Sequence, residues 1–239
     1  MTPLIETKGL TKAFGLMPVL RKLEFTVERG EFVALLGHNG SGKSTLMRML
    51  CGLSKPTAGT IRVGGWELPN EADAVRSQIG VVSHKTLLYD TLTARENLRF
   101  FASLYNTPID DAKINAALTR VGLGKRGDDL VRGFSRGMQQ RLSIARALLH
   151  SPDVLIFDEP YTGLDQDGSI ALDGLLKDAH SAGHTILMAT HDLDRAAALA
   201  TRAVILSRGV IGVDMPLEGV SGSQLAEAYR RVTGVAAGG

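Results

Sequence analysis

Apolar residues fall along this chain in three rhythms. Short β-like runs, "LIETKGL", "LEFTVE" and "EFVALLG", crowd the first forty residues, and "GTIRVGGWEL" adds another, broken at Gly64 and Gly65. They predict a small, partly antiparallel sheet. A second set, "FVALLG", "VLIFDE" and "TILMATH", is continuously apolar, as in strands covered on both faces of a parallel sheet. The third rhythm is helical. Thr93 and Glu96 form a T-x-x-E capping box before "ARENLRFFASLYN", where Leu98, Phe101, Ala102 and Tyr105 share one face. Thr107 and Pro108 suit the cap and first position of a second helix, which carries Ile114, Ala117, Leu118 and Val121 and stops at Gly122. A third helix follows Gly137, with Met138, Leu142, Ala145 and Leu149 in register and Pro152 beyond its end. Late in the chain "SRGVIGV" predicts a hairpin, "SQLAEAYRRV" a short amphipathic helix and "GVAAGG" a frayed end.

These elements predict an α/β chain folded as one domain over residues 1–239. Its core is expected from residues 1–83 and 151–239, with a helical subdomain from about 84 to 150 inserted between core strands. No internal repeat or long linker divides it.

Composition narrows the function classes. With 239 residues, 44% hydrophobic and 22% charged, the chain can bury a sizeable core. A net charge of +2 with interspersed signs gives no electrostatic footprint for nucleic acid, so none is expected as a partner. The single cysteine, Cys51, excludes an internal disulfide and, within "LMRMLCGL", reads as a buried inert thiol. The amino terminus lacks the basic and apolar regions of a signal peptide, and no apolar run approaches the roughly 20 residues that span a bilayer. A cytoplasmic protein is expected, and any membrane role needs a partner.

The chemistry begins with "GHNGSGKST", which fits G-x-x-x-x-G-K-[ST] between an apolar strand and a helix, the P-loop context. Gly37, His38, Asn39, Gly40, Ser41, Gly42, Lys43, Ser44 and Thr45 are thus the candidate nucleotide-binding loop. Gly37, Gly40 and Gly42 let the backbone bend so that N–H groups converge on phosphate oxygens. Lys43 supplies positive charge to the β- and γ-phosphates and Ser44 a hydroxyl ligand for Mg²⁺.

"VLIFDEP" places Asp158 and Glu159 at a strand's carboxyl end, where open α/β sheets bind ligands. Pleat alternation sends the two side chains in opposite directions, with Asp158 expected in the Mg²⁺ shell and Glu159 expected to orient and deprotonate the attacking water. His191 follows "TILMAT" at another strand end, where its imidazole could reach a γ-phosphate oxygen; taken singly, it reads as a surface or capping histidine. His180 and His184 have i, i+4 spacing, but Gly183 and the lack of an acidic neighbour favour a solvated loop over a metal pair.

"GFSRGMQQRLSIARALL" is a second glycine turn feeding a helix, again an arrangement that grips phosphate. The ordered set "GHNGSGKST", "FSRGMQQR", "VLIFDEP", "YTGLD" and "ATHD" resembles the Walker A, signature, Walker B, D-loop and H-loop of ATP-binding cassette ATPases, over nearly the whole chain. No N-K-x-D motif supports a GTPase. The resemblance implies a P-loop NTPase core with a largely parallel sheet, a small antiparallel β subdomain and an inserted helical subdomain. It implies a Mg²⁺-dependent ATPase with ATP as substrate, in a head-to-tail dimer with a second ATP-binding subunit, expected to be an identical chain. Ser135 and Gly137 would hold the partner's nucleotide, Asp165 would reach across the interface, and Phe14 would stack on adenine, although a lone Phe there also reads as core.

Two departures stand out. Phe134, Arg136 and Met138 replace three members of the usual L-S-G-G-Q signature. After "IGVVS", where the family has a glutamine near Mg²⁺ or the attacking water, this chain has His84, a candidate stand-in that reads equally as loop lining.

The family resemblance further implies an integral membrane transporter subunit as partner, with this chain peripheral on the cytoplasmic side of the inner (cell) membrane. Leu87, Leu88 and Tyr89 would line a groove for one of its helices, although they read equally as core. "VVSHKTLLYDTLTARENLRFFASLY" and "FSRGMQQRLSIARALLHSP" most resemble the ATP-binding subunit of the haem exporter of cytochrome c biogenesis. A drug or lipid exporter subunit is the alternative, and a soluble non-transport cassette ATPase the second.

Overall fold

Strand β1 (Ile5–Phe14) turns at Gly15, in the left-handed region, and pairs antiparallel with β2 (Met17–Val27). On its other edge β1 pairs with β4 (Ala58–Val63), which folds back at Gly64 and Gly65 onto β5 (Trp66–Leu68). The resulting sheet, in order β2-β1-β4-β5, is the antiparallel one that the alternating runs predict. This is a computed structural model, which describes residues 2–83, 85–105 and 110–234.

The second sheet holds the continuously apolar runs. Strands β3 (Phe32–Leu36), β6 (Ile79–Ser83), β7 (Val154–Asp158), β8 (Thr185–Thr190) and β9 (Arg202–Ser207) run parallel, and β10 (Val210–Pro216) closes one edge as an antiparallel hairpin with β9. Their order is β10-β9-β3-β8-β7-β6, and "EFVALLG" therefore belongs to this sheet rather than the first. Alternation explains why β3 is apolar throughout. Val33 and Leu35 face a core shared with the antiparallel sheet and with α1 (Lys43–Leu50), whereas Phe32, Ala34 and Leu36 face α6 (Gln166–Ser181), α7 (Leu193–Leu199) and α8 (Gly222–Thr233). Each fully buried leucine or isoleucine in these layers contributes roughly 1.5–3 kcal/mol.

Between β6 and β7 lie α3 (Ala94–Leu104), α4 (Asp111–Arg120) and α5 (Arg136–Leu148), packed around Leu98, Ile114, Leu118, Val131 and Leu142. Both arms of the Thr93–Glu96 capping box are made. The second helix is capped by Asp110, whose side chain accepts from Lys113 N, rather than by Thr107, because a carboxylate three residues ahead satisfies the free N–H. Thr107 and Pro108 lie outside the described residues. α5 begins before Gly137, with Ser135 as its cap. Its Leu142 and Ala145 join the helical cluster, while Ile144 and Ala147 pack into the sheet core. A short helix that the sequence pattern does not announce, α2 (Ala72–Gln78), precedes β6 and buries only Val75.

His180 and His184 are not in a solvated loop. His180 lies on α6 and its Nε2 is 2.9 Å from Gly30 O, while His184 Nδ1 is 2.8 Å from Pro152 O. Both tie down loop carbonyls. Among the described residues no cluster of histidine, cysteine and carboxylate side chains could hold a metal ion, and no helix is long and apolar enough to cross a membrane. Cys51 is buried at the end of α1, and burial pushes its thiol up to about 12.

Candidate nucleotide site and a separate signature pocket

The loop after β3 is shaped by glycines at two places where nothing else fits. A Cβ on Gly37 would collide with Leu206 O and the Ser41 side chain, and one on Gly42, at φ +113°, would lie 2.7 Å from Leu20 Cδ2. Gly42 begins α1 without a side-chain cap, so the first-turn N–H groups remain directed at any anion held in the loop.

Lys43 is almost fully buried, and its Nζ donates to Gly37 O at 2.6 Å. Burial pulls its pKa below the ordinary lysine value, and Glu159 and Asp158 oppose that shift. Ser44 Oγ donates to Asp158 Oδ1 at 3.3 Å. The two carboxylates part ways for a reason other than pleat alternation. β7 ends at Asp158, and Glu159 adopts a left-handed φ of +50° with its N–H on Ala189 O. Its side chain reaches Lys43 Nζ at 3.9 Å through Oε1 and His191 Nδ1 at 2.9 Å through Oε2.

These residues border a cavity of about 330 Å³ lined by Val19, residues 38–45 and Glu159. Val19, on β2, has no motif to mark it, and only the register of the antiparallel sheet brings it to the loop. Phe14 stands outside this lining; it is 58% exposed at the end of β1, with Lys12 Nζ 4.9 Å from its ring centroid. His84 lies outside the described residues.

Ser135, Gly137 and Asp165 line a different cavity of about 370 Å³, together with Arg136, Arg141 and Gly168. Ser135 accepts from Met138 N at 3.3 Å, Asp165 caps α6 by accepting from Gly168 N at 2.8 Å, and Arg136 Nε donates to Thr162 O at 3.1 Å. The two cavities share no lining residue.

A third and more apolar groove of about 660 Å³ runs between the sheet edge and the helical layer, past Leu53, Val81, Leu87, Phe101 and Leu104. Of the three residues expected there, Leu87 lines it, Leu88 packs into the helical cluster, and Tyr89 meets Phe100 edge-on at 5.0 Å. Arg146 on α5 forms the floor. It donates to Val81 O at 2.7 Å and Thr86 O at 2.8 Å, beneath the Phe101 ring.

A glycine loop opening a helix after β3, a histidine at the end of the adjacent parallel strand β8 and carboxylates at the end of β7, one strand further on, define a P-loop ATPase. The model of the ABC transporter family matches residues 20–162, more than half of the chain, and the chain belongs to that family. It is 37% identical over 235 residues to a fluoroquinolones export ATP-binding protein of Mycobacterium tuberculosis, covering 97% of this chain and 76% of that one. It is 35% identical over 208 residues to the linearmycin resistance ATP-binding protein LnrL of Bacillus subtilis, covering 86% and 67%. Among solved structures, a dimeric ATP-binding cassette in a post-hydrolysis state bound to ADP and Pi superposes with a TM-score of 0.80 at 28% identity, covering 89% of this chain and 98% of that one. The chain has the ABC ATPase fold and is an ATP-hydrolysing enzyme of that family.

Proposed function

We propose that this chain is the motor subunit of an exporter, working as two copies set head to tail so that the Ser135–Gly137 turn of one closes over the phosphate loop of the other. The observation that carries this reading is that the two phosphate-gripping turns of one chain line separate cavities with no residue in common. Either cavity alone is half of a site.

In that arrangement Lys43 and the α1 N–H groups hold the β- and γ-phosphates, and Phe14 and Val19 flank the nucleoside. Ser44 and Asp158, already in contact, are suited to share one Mg²⁺, two oxygen donors being the chemistry that ion accepts. When bound, the ion neutralises phosphate charge. Glu159 takes the proton from water as its oxygen attacks the γ-phosphorus and the bond to the ADP oxygen breaks. His191 turns from Glu159 to a γ-phosphate oxygen and thereby frees the base. Asp165, from the second copy, lies across the interface.

The groove bounded by Leu87, Phe101 and Leu104 suits an apolar helix end from an integral membrane subunit, and this supports the reading of a chain peripheral on the cytoplasmic face of the cell membrane. The relatives reported above are named for fluoroquinolones export and linearmycin resistance, and the proposed cargo moves with them from haem to a drug-like small molecule.

Mixing two inactive variants tests the shared site. Lys43→Ala removes one half and Ser135→Arg blocks the other, so each is inactive alone. Mixed copies contain one intact composite site, and turnover returns to about a quarter of the wild-type level for random pairing of two-fold dimers. If the mixture stays inactive while each variant still pairs with wild-type chain, the composite site is ruled out.

A further inference from the structure

Glu159 and His191 sit on separate loops, 32 residues apart, and meet through one 2.9 Å hydrogen bond. What holds the loops in register is a polar cluster behind them. Arg195, on α7, donates through Nε to Asp192 Oδ2 at 3.0 Å and through Nη1 to both oxygens of Asp173 on α6, each at 2.8 Å. Asp192 directly follows His191 and caps α7 through Arg195 N. Tyr161, two residues after Glu159, donates its hydroxyl to Asp173 Oδ1 at 2.7 Å, and its ring lies 4.4 Å from the Arg195 guanidinium. Burial and the adjacent Asp173 carboxylate push the Tyr161 phenol up, so it stays a protonated donor. One guanidinium therefore touches the Glu159 segment, α6 and the His191 turn.

We propose that Arg195, clasped to Asp173 and Tyr161, is a positioning residue that sets the distance between the Glu159 carboxylate and the His191 imidazole, and so the rate of hydrolysis. Among the described residues no hydrogen bond or ion pair joins the clasp to the phosphate loop, so it acts on the chemical step and leaves nucleotide affinity alone. The inference rests on the roles of Glu159 and His191 given above. Paired, partly buried charges fix geometry better than a single neutral hydrogen bond, because a planar guanidinium that donates through Nη1 to one carboxylate and through Nε to another defines direction as well as distance.

The test is hydrolysis by the full chain carrying Arg195→Gln, Arg195→Lys, Tyr161→Phe and the Tyr161→Phe/Arg195→Gln pair, with binding of a fluorescent ATP analogue and thermal melting measured alongside. Arg195→Gln is expected to lower kcat about tenfold, as small misplacements of reacting groups do. Analogue affinity stays within about twofold of wild type, the signature of an interaction felt in the transition state. Arg195→Lys restores part of the rate. The double variant is no slower than Arg195→Gln, since both changes open the same clasp. Should Arg195→Gln fail to fold, Tyr161→Phe, which keeps the ring and removes one hydroxyl, carries the test. Wild-type turnover in Arg195→Gln and Tyr161→Phe, a matching loss of affinity, or effects that multiply in the double variant would overturn the proposal. Full turnover in Glu159→Gln and His191→Ala would instead overturn the reading of the site beneath it.

Discussion

Glu159 stands between His191 and Lys43, its Oε2 2.9 Å from the imidazole Nδ1 and its Oε1 3.9 Å from the buried ammonium. One oxygen is engaged by the imidazole, and the other faces the ammonium beyond hydrogen-bond distance with lone pairs left over. In the proposed mechanism a triphosphate supplies oxygens to which both partners turn, so that nucleotide arrival and release of Glu159 become one event.

Replacing the base should separate binding from chemistry. Glu159→Gln keeps the shape of the side chain and loses the proton acceptor. Phosphate release is expected to fall by about 10²–10⁴. ATP should still bind, and size-exclusion chromatography with ATP should show a longer-lived dimer.

Lys43 carries a linkage prediction of definite sign. Because the folded chain holds this ammonium below its ordinary pKa, the unfolded chain binds more protons between the two values, and stability rises with pH across that window. Below it the buried charge opposes folding. Lys43→Met should therefore melt higher than wild type at neutral pH without nucleotide, with the gap narrowing as pH climbs toward 10.5, the ordinary lysine value. Nucleotide affinity of the same variant should collapse.

Gly163 lies in the turn that Arg136 braces. Its φ is +76°, and a Cβ there would stand 2.5 Å from Arg136 Nε. Gly163→Ala should cost about 1–2 kcal/mol from the left-handed backbone alone, with more from the collision. Adding Arg136→Ala should recover the collision part and leave the backbone part, measurable by urea unfolding of the two variants.

The Cys51 thiol, pushed up to about 12 by burial, should resist alkylation in the native chain at pH 8. In urea it should react at the rate of a free cysteine, which makes it a probe of global opening read by mass spectrometry.

The legible parts of this molecule are those written in neighbouring residues. The phosphate loop needs its glycines and lysine within nine positions, the Thr93–Glu96 box spans one turn, and β3, β7 and β8 announce themselves by unbroken apolar runs. Short helix α2 buries only Val75 and so has no periodic face to read. The direction of Glu159 depends on one backbone angle, which pleat alternation cannot anticipate. Arg146 meets Val81 across 65 residues and Arg195 meets Asp173 across 22, and no local pattern links an arginine to a carbonyl or carboxylate that the fold brings to it from so far. His180 and His184 mislead for the same reason, since their partners are loop carbonyls from distant segments.

Helix α5 is packed into both hydrophobic clusters, with Ile144 and Ala147 seated against the sheet and Ser135 at its opposite tip. Its 13 residues make a rod about 20 Å long. Pivoting through about 10° at the sheet end would sweep the serine through about 3 Å, comparable to a hydrogen-bond length. A small tilt imposed at the groove, where Arg146 grips the segment beside Leu87, is in this way geared into a larger displacement of the Ser135 turn at the far end.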